Sequence, residues 1–181
     1  PSGVPNALAA TIAAVFTAPQ ETSESMFSFP FSAQNAPGTQ NQLGFYYNAS
    51  TNSQGGVGEY ALNNSGIIAN TTEWVPTDAR RAFNVAAAAS GGAFFLRKYV
   101  TPTPYTDNAP ILRYSEVLLN LAEARVRFTN TVDATAVALL NAVHRRSDTS
   151  ITFVTGDFAT PQALINKILL EKRIEFLGEG L

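Results

Sequence analysis

The sequence predicts a mainly α-helical protein, with tetratricopeptide-like helical hairpins supporting an irregular, loop-rich lobe that carries a short strand or two. Three observations lead there. The last third of the chain repeats apolar residues at helical spacing in three consecutive segments. Residues 32–72 are dominated by Asn, Gln, Ser, Thr and Gly, with aromatics set among them, which is loop chemistry. Charge is divided unevenly: up to residue 79 the only ionic groups are Glu21, Glu24, Glu59, Glu73 and Asp78, and all 12 Lys and Arg follow.

Residues 6–16 read as a short helix capped by Asn6. Residues 23–31 alternate apolar and polar side chains as a strand does, with Met26 the one exception. From residue 32 to about 72 we expect loops, a short strand and little helix. Residues 82–96 are the most apolar stretch, but Asn84, Ser90, Gly91 and Gly92 interrupt it. It is also shorter than the ~20 residues a membrane span needs, so it reads as a buried or loosely ordered connection.

The helical part, residues 110–181, begins with Pro110 in a first turn, where a missing N–H costs nothing. Arg113, Glu116, Asn120, Glu123 and Arg127 then recur at three- and four-residue steps as one polar stripe. The rest of that helix is apolar, which predicts packing on two sides, with Ala122 and Ala124 admitting a close neighbour. After a turn at residues 129–131, Asp133 caps a second helix running to about Arg146, with Ala136, Leu139, Leu140 and Val143 inward. The pair has about the length of one tetratricopeptide unit, roughly 34 residues, and such units need flanking helices. A third helix opens at Thr160 and Pro161, runs to about Leu177 and stops at Gly178.

Glu171, Glu175 and Glu179 stand at four-residue steps on that third helix, and each like-charged pair costs roughly 0.2–0.5 kcal/mol unless neutralised. The arginines of the preceding hairpin are natural partners. We therefore expect an inter-helix ion network of Arg113, Glu116, Arg146, Glu171, Arg173 and Glu175, with Arg145 beside it. The rival reading makes the glutamates catalytic acids or metal ligands.

Several function classes fall away. Phosphate contacts need Lys or Arg, which residues 1–79 lack, and the later cations sit among acids on helices. With no cysteine there are no disulfides, thiolate metal sites or thiol nucleophiles. Gly56 and Gly58 do not open a dinucleotide fingerprint, because Ala61 stands where the third glycine belongs. Residues 45–76 combine what a sugar asks for: flat rings to stack on its apolar face and amides for its hydroxyls. Trp74 leads these candidates, with Tyr46, Tyr47, Asn48 and Tyr60 around it.

Short motifs accompany the helices in a definite order. They are Ser23-Glu24-Ser25-Met26-Phe27, Asp78-Ala79-Arg80 and Arg97-Lys98-Tyr99, followed by the three helices themselves. Together they resemble the C-terminal part of the SusD/RagB family of outer-membrane nutrient-binding lipoproteins. One departure is His144, which stands where the family pattern places an arginine and makes the ion pairing there pH-sensitive. The resemblance implies a surface-exposed protein that captures a glycan, less often a peptide, and delivers it to a SusC/RagA-type TonB-dependent transporter. It implies no reaction, cofactor or metal, and no membrane contact beyond an N-terminal lipid anchor outside this sequence. It also implies that residues 1–181 are one piece of such a protein, 1–109 forming the loop-rich lobe, with the family's N-terminal half and C-terminal end lying outside. Two alternatives stay open from the residues alone. One is a glycan hydrolase using the loop carboxylates Glu21, Glu24, Glu59, Glu73 or Asp78; the other is a tetratricopeptide-type scaffold for protein partners.

Overall fold

The structure, a computed structural model, describes residues 5–35, 43–49, 56–87, 92–101 and 104–180. Ser90 and Gly91, singled out above, lie outside the described residues, as does Leu181. The chain is mainly helical among the described residues, with two small sheets. Among the described residues no helix is long and apolar enough to cross a membrane.

The first helix, α1, covers only Ile12–Phe16 and is capped by Thr11, not Asn6. The expected extra turns are lost because their amides have partners elsewhere in the fold. Ala7 N–H donates to the Ser23 carbonyl (3.1 Å), and Ala9 N–H donates to the Glu24 carboxylate (2.8 Å). Strand β1, Ser25–Phe29, pairs antiparallel with β5, Ala109–Arg113. Pro110 is thus a strand residue opposite Ser28, and not the start of a helix. A two-stranded ribbon has only edge strands, where proline is tolerated.

The intervening region holds more regular structure than its composition predicts. Helix α2 spans Leu43–Tyr47, and β2, Ala61–Leu62, joins a three-stranded sheet of order β2-β4-β3. Helix α3, Ala79–Asn84, is capped by Asp78, whose carboxylate accepts from Arg80 N–H at 2.9 Å. The apolar stretch that follows supplies β3, Val85–Ala87, and β4, Phe94–Leu96, paired antiparallel.

Three longer helices follow: α4 (Tyr114–Thr129), α5 (Ala134–His144) and α6 (Pro161–Glu175). Asp133 caps α5 by accepting from Ala136 N–H at 2.7 Å, and Thr160 caps α6 through Ala163 N–H at 3.1 Å. The hairpin and α6 share one core of Leu119, Ala122, Val126, Ala136, Val137, Leu140, Val143, Leu164, Ile165, Ile168 and Phe176. Each large side chain buried there contributes about 1.5–3 kcal/mol. Helix α4 is not covered all round, however. Leu121 is 48% exposed and Phe128 92%, and Ala124 faces solvent. Leu139 is only partly buried, because Val137 and Leu140 face inward ahead of it. Smaller cores gather Ile12, Val15, Phe16, Leu96 and Tyr99, and Ile67, Ile68, Trp74 and Ile174.

Candidate functional site

Charged side chains from both ends of the described sequence meet in a solvent-free cluster. Glu175, fully buried near the end of α6, lies between three guanidinium groups: Arg80 (3.1 Å), Arg113 (3.0 Å) and Arg146. Arg80 also reaches Glu171 (2.5 Å) and its own cap residue Asp78 (2.7 Å). Arg113, at the end of β5, reaches Glu24 (2.5 Å) and Glu179 (2.8 Å), and Arg146 closes the ring on Glu24. Lys98 donates to Glu179 (2.6 Å) and to the Glu175 carbonyl (3.0 Å). Tyr99 O–H donates to the Gly178 carbonyl (3.0 Å), holding the turn that carries Glu179.

Gly178 has φ +80°, and a Cβ there would collide with the Leu96 side chain. Only glycine lets the chain turn there and present Glu179 to Lys98 and Arg113.

The electrostatics follow from burial set against opposite charge. Burial alone would push Glu175 upward, yet Arg113, Arg146 and Arg80 hold its carboxyl below the usual carboxylate range. Burial is likewise overcome at Glu171 by Arg80 and His144, and at Glu179 by Lys98 and Arg113, and both carboxyls are lowered. For Lys98 burial wins: it pulls the ammonium down in spite of Glu179.

The members expected from the sequence separate into two groups. Arg113, Arg146, Glu171 and Glu175 lie inside this cluster. Glu116 and Arg173 lie outside it, as does the exposed Arg145. Glu116 and Arg173 line an open groove of about 380 Å³ between α4 and α6, together with Asn120, Leu169, Lys172 and Phe176. Their place on the helices explains this: Glu171 and Glu175 share one face of α6 with a four-residue step, and Arg173 points away from it. Glu24, Asp78, Arg80 and Lys98 were not foreseen as members. Each lies in one of the short motifs, and that was the signal available.

The aromatic candidates divide as well. Tyr60 is 52% exposed and lies 5.9 Å from Tyr46 and 5.6 Å from Tyr47 between ring centroids. Phe45 extends the group, 5.5 Å from Tyr46 and 6.2 Å from Tyr105. Asn48 is buried, and its amide donates to the carbonyls of Gly44 and Tyr99, both at 2.7 Å. Trp74 is 0% exposed, packed with Ile67, Ile68 and Ile174, and Arg81 lies 4.9 Å over its ring. The expectation of Trp74 as a stacking surface therefore gives way. Apolar contacts from distant residues close over a tryptophan whose polar sequence neighbours had marked it as a loop.

The sequence profile of the SusD family matches residues 41–181. The chain belongs to the SusD family. Solved structures agree with this. A SusD superfamily protein from Bacteroides fragilis is 28% identical with a TM-score of 0.79, over 98% of this chain and 39% of that one. One from Bacteroides thetaiotaomicron is 26% identical with a TM-score of 0.71, over 93% and 38%. The fold is also shared with surface glycan-binding protein A from Bacteroides thetaiotaomicron in complex with laminarihexaose, 21% identical, TM-score 0.70, over 99% and 45%. The chain thus spans about two fifths of the length of these solved structures. A comparison with curated proteins finds no match. In this SusD-family chain, the motif residues Arg80, Lys98 and Tyr99 bond to the end of α6 or the turn after it, and Asp78 and Glu24 are joined to it through Arg80 and Arg113.

Proposed function

We propose that this protein is a cell-surface glycan-binding component of nutrient uptake. It captures an oligosaccharide and delivers it to a SusC/RagA-type TonB-dependent transporter, held at the outer membrane by a lipid anchor. The observation that carries this reading is the SusD-family match over residues 41–181. A solved structure of the same fold, bound to laminarihexaose, supports the ligand class. The protein binds and releases, and performs no reaction on the sugar.

Within the chain, Tyr60 with Tyr46 and Tyr47 is the surface we assign to the sugar. A half-exposed ring braced by two others is held in place before the ligand arrives, which lowers the entropy lost on binding. The buried charge cluster has no such role, since its groups are spent on one another.

Calorimetric titration with laminarihexaose and with oligosaccharides of other linkages tests the reading, alongside chromatography of the sugar after incubation. Binding without cleavage is expected, and Tyr60→Ala weakens it on the order of tenfold, about 1.4 kcal/mol. Cleavage products would instead support a hydrolase. Neither binding nor cleavage across the panel would support a scaffold for protein partners.

A further inference from the structure

The three rings assigned to the sugar depend on one very short helix. Helix α2 has five residues and carries Tyr46 and Tyr47 itself. It also holds the segment that carries Tyr60. Val57 N–H donates to the Phe45 carbonyl (2.7 Å), and the N–H groups of Glu59 and Tyr60 donate to the Tyr46 carbonyl (3.0 and 3.3 Å). Gly56 lies against Asn48 at the start of that segment. A Cβ there would come within 2.5 Å of the Asn48 carbonyl oxygen, so only glycine lets the two stretches lie this close. A shift of α2 therefore shifts all three rings. A helix this short has no stability of its own in water, so its position comes from what it docks on.

That dock is made by Asn48 and Tyr99. Asn48 directly follows α2 and is buried. Its side-chain amide donates to the Gly44 carbonyl on the helix and to the Tyr99 carbonyl, both at 2.7 Å, and so ties one to the other. The Tyr99 ring packs beside Tyr47, with 6.0 Å between centroids and 33° between planes. Tyr99 is itself held firmly: Phe16 meets its ring edge-on at 6.1 Å, and its O–H donates to the Gly178 carbonyl at 3.0 Å. Both residues are buried, so neither is a surface on which a sugar could lie.

We propose that Asn48, Gly56 and Tyr99 are positioning residues for the sugar surface. They hold α2, and with it Tyr46, Tyr47 and Tyr60, in the arrangement that binds. This rests on the assignment of those three rings to the sugar. A variant that lets α2 leave its dock keeps the same rings but holds them together for a smaller fraction of the time. Apparent affinity falls with that fraction, so a competent tenth means a roughly tenfold higher Kd.

Calorimetric titration with laminarihexaose, alongside melting curves of the same variants, tests it. Asn48→Leu removes the tie, Tyr99→Leu removes the ring beside Tyr47, and Gly56→Ala forces two stretches apart; each should bind about tenfold more weakly. Tyr99→Phe keeps the ring and the carbonyl. It should bind as the native protein does, although losing the bond to Gly178 lowers its Tm. Glu175→Gln should likewise lose stability alone. Native affinity in Asn48→Leu and Tyr99→Leu overturns the proposal, and so does affinity that falls in step with Tm through Tyr99→Phe and Glu175→Gln. Should a variant fail to fold, hydrogen exchange of the Asn48 side-chain amide in the native protein decides. Linkage requires saturating laminarihexaose to slow that exchange, and an unchanged rate overturns the proposal. Absent binding by the native protein, or a Tyr60→Ala variant that binds as tightly, overturns the assignment of the rings and this proposal with it.

Discussion

Replacing Glu175 by Gln removes one charge and keeps the shape, which makes it a sharp probe of the buried cluster. Glu175 is fully buried and shares its two oxygens among Arg80 at 3.1 Å, Arg113 at 3.0 Å and Arg146. The amide keeps one acceptor oxygen but turns an N–H₂ toward at least one guanidinium, so a buried cation loses its counter-charge. Removing one partner of a buried pair costs about 3–5 kcal/mol. The retained oxygen and the neighbouring Glu24, Glu171 and Glu179 soften the loss, so we expect about 3 kcal/mol. For a chain of this size each kcal/mol lowers Tm by ≈ 2–4 °C, so the drop should be roughly 6–12 °C. Calorimetric melting and urea denaturation measure it, and oligosaccharide titration below the transition should show unchanged affinity. Arg173→Gln is the control, within about 0.5 kcal/mol of the native protein, because that side chain is exposed. An unchanged Tm in Glu175→Gln, or lost binding with full stability, would refute the reasoning.

The same cluster sets the acid limit of the fold. Glu171, Glu175 and Glu179 are held below the usual range, so their stabilisation is present above the ordinary glutamate pKa, about 4.3, and is lost as pH falls through the folded values. Tm measured from pH 7 to pH 2.5 should fall steeply in the acid half, and less steeply in Glu175→Gln. Gly178→Ala combines a positive φ with a collision at Leu96 and should cost more than ~1 kcal/mol in urea denaturation. Trp74→Ala should cost about 3–5 kcal/mol as a core truncation. In the native protein, Trp74 emission should be blue-shifted, resist iodide quenching and stay constant on addition of laminarihexaose; ready quenching would show an exposed ring.

Local signals carried the helical half well. Asp133 and Thr160 announce their helices because capping acts over three residues, and the apolar spacing of α5 and α6 repeats within one turn. Pro110 misled for an equally local reason: a first helical turn and an edge strand both accept a residue without N–H. Only the pairing with Ser28, far off in sequence, decides for the strand. Trp74 shows the same limit, since Ile174 lies a hundred positions from it and no neighbouring residue reveals that the two pack together. In the charge cluster, the surplus of glutamates on α6 and two of its cations, Arg113 and Arg146, were legible, but the other two were not. Arg80 and Lys98 come from segments whose own composition gives no reason to place them at α6.

The distances along the chain within that cluster bear on how the protein reaches its native state. Arg113 and Glu24 are 89 positions apart, and Arg146 and Glu24 are 122. A nascent chain lacking the end of α6 has Arg80, Arg113 and Arg146 without Glu175, and these cations must remain in water until it arrives. The helical hairpin can form early from local contacts. The lobe holding β1 and α3 can close onto it only in a late step that brings distant charges together and desolvates them at once. Such a step is slow because long loops must close before any contact rewards them. Refolding should therefore show helix formation by circular dichroism well ahead of Trp74 burial by fluorescence.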